Sequence, residues 1–80
     1  MKTFHLTIAS VGQTFYDGEA ASATLPGSSG VLTILPHHEP FVTTLAAGAI
    51  SVRTKSGETK EFENENGILE CAGNRAVVLL

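Results

Sequence analysis

The sequence predicts an all-β fold, a sandwich or barrel of short strands, on three observations. Apolar and polar residues alternate with period two over several segments. Turn-forming residues recur about every 6–12 positions. No stretch of ten residues carries the i, i+3, i+4 apolar spacing of a helix. The 80 residues are enough for one domain, 1–80, and contain no repeat, low-complexity tract or linker.

Each element follows from local pattern. Thr3 to Ala9 alternates, with Phe4, Leu6 and Ile8 on one side and Thr3, His5 and Thr7 on the other, the mark of a half-buried strand. Gln13 to Tyr16 reads as a second short strand, closed by the turn pair Asp17-Gly18. Glu19 to Leu25 is a third, with Ala21, Ala23 and Leu25 inward. Pro26 to Gly30 is a loop, followed by the apolar run Val31 to Leu35 and a proline-bracketed loop from Pro36 to Pro40. Phe41 to Leu45 resumes the strand pattern, and Ala49 to Lys55 alternates again. Ser56-Gly57 has hairpin-turn chemistry, and Glu58 to Glu63 is the polar return arm with Phe62 as its apolar anchor. Ile68 to Ala72 and Arg75 to Leu80 are joined by Gly73-Asn74. The segment Ala76 to Leu80 is apolar on both faces, so it either lies centrally or leaves one face for a partner.

Charge and cysteine usage narrow the function. Net charge is −3, and the bases Lys2, Arg53, Lys55, Lys60 and Arg75 form no block, against nucleic acid or an anionic membrane surface as direct partner. Glu58, Glu61, Glu63 and Glu65 cluster as a solvated strand edge would. Cys71 is the one cysteine, so no internal disulfide forms, and a reducing compartment is expected. The amino-terminal residues lack the apolar core of a signal peptide. No apolar run approaches the roughly 20 residues needed to cross a bilayer, so membrane association is expected through another protein rather than by direct insertion.

The residues offer little chemistry. Gly27-Ser28-Ser29-Gly30 continues into Val31-Leu32 without the lysine of a phosphate-binding loop. No serine sits in a G-x-S-x-G elbow. Cys71 lies in a strand pattern and reads as a small buried hydrophobe. His37-His38-Glu39 is the one polar cluster with metal-ligating residues, but adjacent side chains in extended chain diverge, and His5 would have to join from a distant strand. The expectation is no catalytic residue, no metal and no cofactor. Two other classes compete: a metal-dependent enzyme built on His37 and His38, and a free-standing β-sandwich ligand-binding module, for which zero Trp and one Tyr supply few stacking platforms.

The run from Pro26-Gly27-Ser28-Ser29-Gly30-Val31-Leu32-Thr33-Ile34-Leu35 through Pro36-His37-His38-Glu39-Pro40-Phe41 resembles the Pro-Gly-x-x-Gly-x-Leu-Gly-Ile-Leu-Pro-Gly-His-Ala-Pro-Leu pattern of the F-type ATP synthase epsilon subunit. Phe4-His5-Leu6, then Phe15 with Asp17-Gly18, Leu45 with Gly48, Gly67-Ile68-Leu69-Glu70 and Arg75 to Leu79 extend the likeness in order over nearly the whole chain. The resemblance implies a sandwich of two roughly five-stranded, mostly antiparallel sheets. It also implies a non-catalytic central-stalk subunit that binds the gamma subunit and contacts the c-subunit ring, coupling proton or sodium flow to ATP synthesis at the cytoplasmic face of a bacterial inner membrane. Positions matching gamma-contacting residues are Ser10, His38 and Thr43, and the loop Gly27, Ser28, Ser29, Gly30 and Val31 matches the part that meets the ring. Gly27 and Gly30 are expected to supply positive φ to a projecting turn. The sequence departs from the pattern where Val31 replaces an acidic residue, Thr33 and His37 replace glycines, and Glu39 replaces alanine. The family's two carboxy-terminal helices are expected to be absent, and with them ATP binding and self-contained inhibition.

Overall fold

A computed structural model describes residues 2–80. Eight strands form among them, with no helix: β1 Phe4–Ser10, β2 Gln13–Gly27, β3 Gly30–Ile34, β4 Phe41–Leu45, β5 Gly48–Thr54, β6 Thr59–Asn64, β7 Gly67–Ala72 and β8 Arg75–Leu79. Pairing is antiparallel except between β1 and β8. Two layers result. Sheet I runs β4-β7-β8-β1 and ends on the first half of β2. Sheet II runs β3, the second half of β2, β5 and β6.

The strand β2 belongs to both sheets. Its first half pairs with β1, from Ser10↔Gln13 to Phe4↔Ala20. Its second half pairs with β5 from Ala20↔Thr54 onward and with β3 from Ala23↔Ile34 onward. The register slips between Ala20 and Ser22, and this irregularity bends the strand from one layer into the other. The break read at Asp17-Gly18 is therefore corrected: both residues lie inside β2, opposite Thr7 and Leu6. Turn propensity there is overridden by the ladder with β1, which is continuous from Tyr16 to Ala20 and slips only at Phe15. The Tyr16 ring lies alongside Gly18, its Oη 3.7 Å from where a Cβ would stand, an ordinary van der Waals distance.

Alternation places one row of each strand in a common core. Phe4, Leu6 and Ile8 of β1, Leu69 of β7 and Val78 of β8 meet Ala23 and Leu25 of β2, Ile34 of β3 and Ile50 and Val52 of β5, all buried. Phe62 is half-buried and meets Tyr16 edge-on, ring centroids 6.3 Å apart, which closes the sandwich where β6 approaches β2. Cys71 belongs to the same core, and burial pushes its thiol up to about 11.

Gly27 does not supply positive φ; Gly30 does, at 134°. Gly27 is needed for space: a Cβ there would stand 2.7 Å from the Gly30 carbonyl oxygen and 2.8 Å from Leu32 Cδ2. Gly27→Ala should therefore spread the β2–β3 hairpin and lower stability by about 1–3 kcal/mol in urea unfolding, the usual range for an overpacked site. Cys71 gives a pH test. Above its ordinary value of 9.0 the unfolded thiol ionises, while the folded one stays protonated until about 11. The unfolded chain then holds fewer protons, so stability should fall across that window. Cys71→Ala should flatten this slope.

Candidate partner-binding site

The outer face of sheet I is fixed by register. Three rows cross it. Thr44, Ile68, Leu79 and Ala9 stand opposite one another on β4, β7, β8 and β1. Val42, Glu70, Val77 and Thr7 form the next row, and Ala72, Arg75 and His5 the third, with Glu19 beyond on β2. The first row is largely apolar and the second mixed, with exposed Glu70 between Val42 and half-buried Val77; Val42 is 65% exposed, Leu79 55% and Ile68 47%. Thus β8 is central in its sheet and also carries an uncovered apolar side. Three large aliphatic side chains together on one face are unlike a single exposed leucine, and such contiguous patches mark docking surfaces.

The third row is polar and tied to β2. His5 Nε2 lies 2.6 Å from Asp17 Oδ1, and Nδ1 lies 3.4 Å from Glu19 Oε2. The Thr3 hydroxyl donates to Glu19 Oε1 at 2.7 Å, the main reason its carboxyl sits below the usual range, with His5 and Lys55 adding to it against a smaller cost of burial. The face therefore grades along the strands, from the uncharged row of Ile68 and Leu79, through the row that holds exposed Glu70, to the charged row of Arg75, His5 and Glu19.

Both sequence-predicted loops are ordered by contacts from outside themselves. The β2–β3 turn holds Ser28 and Ser29 at its tip, flanked by Gly27 and Gly30, and Val31 follows exposed on β3. The Ser28 backbone N–H donates to the Thr44 carbonyl at 3.0 Å, and the two hydroxyls are 2.7 Å apart. Ala46 N–H donates to the Pro26 carbonyl at 2.8 Å. A hairpin of sheet II is thus fastened to the end of β4 in sheet I. In the β3–β4 loop, the His38 ring packs tilted against Phe41, 4.8 Å between ring centroids, and its Nδ1 donates to the Glu39 carbonyl at 2.9 Å. Beside it a small, partly open recess of about 10 Å³ adjoins Phe4, Ile34, Cys71 and Asn74.

Ser10, His38 and Thr43 all belong to the periphery of sheet I, but they do not touch. Ser10 ends β1, Thr43 sits half-buried in β4, and His38 lies in the loop that enters β4. Three strand spacings separate β4 from β1, about 14 Å. The outward rows lie between them, but Thr43 itself belongs to the inward row of β4, opposite buried Leu69, so the structure does not place it on that face. No group of three His, Cys, Asp or Glu able to hold a metal ion occurs among the described residues.

Two features had no sequence signal beyond turn composition. Asn74 reads in the sequence only as half of a turn. It has φ 58°, accepts the His37 N–H on Oδ1 at 2.6 Å and donates from Nδ2 to the Thr3 carbonyl at 3.0 Å. One side chain thereby joins the β7–β8 turn, the histidine loop and the start of β1. Val11, at the tip of the β1–β2 turn, is the second: it is fully exposed beside Gly12, whose φ of 76° makes the turn.

The fold defines the class, a small all-β sandwich with one open apolar sheet face. The chain belongs to the family "ATP synthase, Delta/Epsilon chain, beta-sandwich domain", whose family model matches residues 3–80. It is 34% identical over 79 residues to a protein of Delftia acidovorans named ATP synthase epsilon chain, covering 99% of this chain and 57% of that one. An ATP synthase epsilon chain of Chlorobium limicola is 31% identical over 78 residues, with 98% of this chain and 89% of that one covered. The chain thus spans little more than half the length of the first relative and most of the second. Its fold recurs in a chain of the Euglena gracilis mitochondrial ATP synthase, from a cryo-EM structure of the OSCP, F1 and c-ring assembly, with a TM-score of 0.90, 19% identity, and 96% of this chain and 49% of that one covered. It recurs as well in the central stalk and c-ring structure of the Tetrahymena thermophila mitochondrial ATP synthase, with a TM-score of 0.82, 13% identity, and 98% of this chain and 63% of that one covered.

The Asn74 link can be tested directly. Asn74→Ala removes both side-chain bonds and places a residue with a poor left-handed preference at φ 58°. It should cost about 1–3 kcal/mol. Asn74→Gly, which keeps the backbone freedom, should recover part of the loss in thermal unfolding.

Proposed function

We propose that this chain is a non-catalytic central-stalk subunit of an F-type ATP synthase. In this reading it binds gamma with the outer face of sheet I and contacts the c ring with the β2–β3 turn. Rotation of the ring, driven by protons or sodium ions, is then passed to the shaft as torque. The subunit is peripheral to the membrane, on the cytoplasmic face of a bacterial inner membrane.

The observation that carries the reading is the outer face on which Val42, Ile68 and Leu79 are exposed and Val77 is half-buried beside them, with Glu70 as the one charge among them. A face of this kind gains affinity by burying aliphatic surface, at roughly 25 cal/mol per Å² before the costs of association. His38 and Ser10 lie at the margins of that face, whereas Thr43 stands in the inward row of β4, opposite buried Leu69; all three belong to the proposed contact with gamma, Thr43 by way of the β4 edge. Gly27, Ser28, Ser29, Gly30 and Val31 belong to the proposed contact with the ring. Because Ser28 is hydrogen-bonded to the end of β4, load entering the turn would reach sheet I through a short connection. Family membership, with the epsilon-chain relatives, supports the same assignment.

The test is calorimetric titration with the gamma subunit from the same source. One-to-one binding is expected. Leu79→Lys and Ile68→Lys, both at exposed positions that leave the core intact, should each weaken it at least about tenfold, as expected of central interface positions. Ser10 or His38 changed to Trp should weaken it as well. Gamma that ignores the wild-type chain, or binds it and the lysine variants equally, would refute the reading.

A further inference from the structure

The two free edges of sheet II are protected very differently. The β6 edge carries Lys60, Glu61 and Glu63, with Glu58 and Glu65 flanking it, charges that repel another strand. The β3 edge, Gly30–Ile34 continued by Leu35, carries no charge, no internal proline and no register slip. Its only ladder partner among the described residues is β2.

Turn geometry tells which backbone groups point outward. The two-residue turn makes Gly27↔Gly30 a hydrogen-bonded pair, so Leu25↔Leu32 and Ala23↔Ile34 are the next such pairs. Val31 and Thr33, opposite Pro26 and Thr24, therefore turn their N–H and C=O groups away from β2, and Leu35 continues that phase. Pro26, which has no N–H, agrees with this phase, and its carbonyl is used by Ala46 on the far side of β2. The same three residues are exposed, Val31 at 75% and Leu35 at 54%.

We infer that β3 is a self-pairing edge: in the free chain, two copies join β3 to β3 antiparallel about a twofold axis through Thr33, extending sheet II across both molecules. Complementarity identifies the occupant as a second copy. With Thr33 opposite its own copy, Val31 faces Leu35 of the second copy and Leu32 faces its Ile34. Every cross-strand pair is then β-branched or apolar, with no charge opposed to a charge and no charge left unmatched. The outward groups of Val31, Thr33 and Leu35 provide about six backbone hydrogen bonds across the axis, and half-buried Leu32 gains cover. A twofold pairing closes after two copies, so an uncharged edge is consumed rather than left to recruit further chains. Self-pairing of β3 requires neither gamma nor the ring, and it excludes any partner that grips Val31.

Sedimentation of the untagged chain from micromolar to near-millimolar concentration tests it. A monomer–dimer equilibrium is expected. Thr33→Pro removes an N–H that β2 does not use, at an edge position that tolerates proline. Thr33→Lys sets two like charges opposite each other on the axis. Each should weaken the dimer at least about tenfold while far-UV circular dichroism stays unchanged. Val42→Lys, on the outer face of sheet I, should leave it intact. A wild-type chain that stays monomeric throughout, a dimer indifferent to Thr33→Lys, loss of the dimer in Val42→Lys, or growth beyond two copies would each overturn the inference. If Thr33→Pro unfolds the domain, Thr33→Lys and Val42→Lys decide the outcome, because their substituted side chains are on the surface.

Discussion

One strand holds this domain together. Fifteen-residue β2 is the last strand of sheet I and an interior strand of sheet II, so neither layer can separate without breaking its ladder. Its bend between Ala20 and Ser22 fixes how the layers overlay, and the core rows follow from that overlay. Such an arrangement suits a small chain. A domain of this size buries only about 60% of its unfolded surface, and sharing one strand lets two thin sheets use a single core. The same strand leads into the β2–β3 turn, which is fastened at Ser28 to the end of β4. The proposed ring contact and the proposed shaft contact are therefore parts of one rigid body.

Charge sorts the surfaces. The acidic return arm, β6, is a wet edge and invites no strand. The outer face of sheet I is polar where His5, Asp17 and Glu19 tie β1 to β2 and apolar in the row of Ile68 and Leu79, with Glu70 and Arg75 as the outward charges of β7 and β8. A protein with one open aliphatic face is poorly served in isolation. In the proposed assembly that face is covered, and the polar row at its margin gives orientation rather than affinity.

Much of this was legible in the sequence because burial follows strict alternation. Phe4, Leu6 and Ile8 face inward as their period-two pattern requires, Phe62 anchors the return arm, and Ser56-Gly57 and Gly73-Asn74 turn where their chemistry demands. Val77 and Leu79 were already conspicuous in a segment apolar on both faces. The remainder was hidden for physical reasons. Asp17-Gly18 carries the composition of a turn, yet β1 offers a partner to both residues, and pairing outweighs propensity. The role of Gly27 was misassigned because sequence shows a glycine but not whether it is needed for φ or for space. The bonds of Asn74 span 37 and 71 positions along the chain, distances at which no local pattern speaks. The apolar face likewise joins β4, β7 and β8, which register alone brings side by side.

The central claim is that a partner sits on the outer face of sheet I. Methyl-resolved NMR of the chain, with and without gamma from the same source, tests this most directly. Binding should shift or broaden the methyl signals of Val42, Ile68, Val77 and Leu79 strongly, while those of Leu25, Ile50 and Val52 in the core change little. Methyl changes confined to other surfaces, or a spectrum left unaltered by gamma, would contradict it.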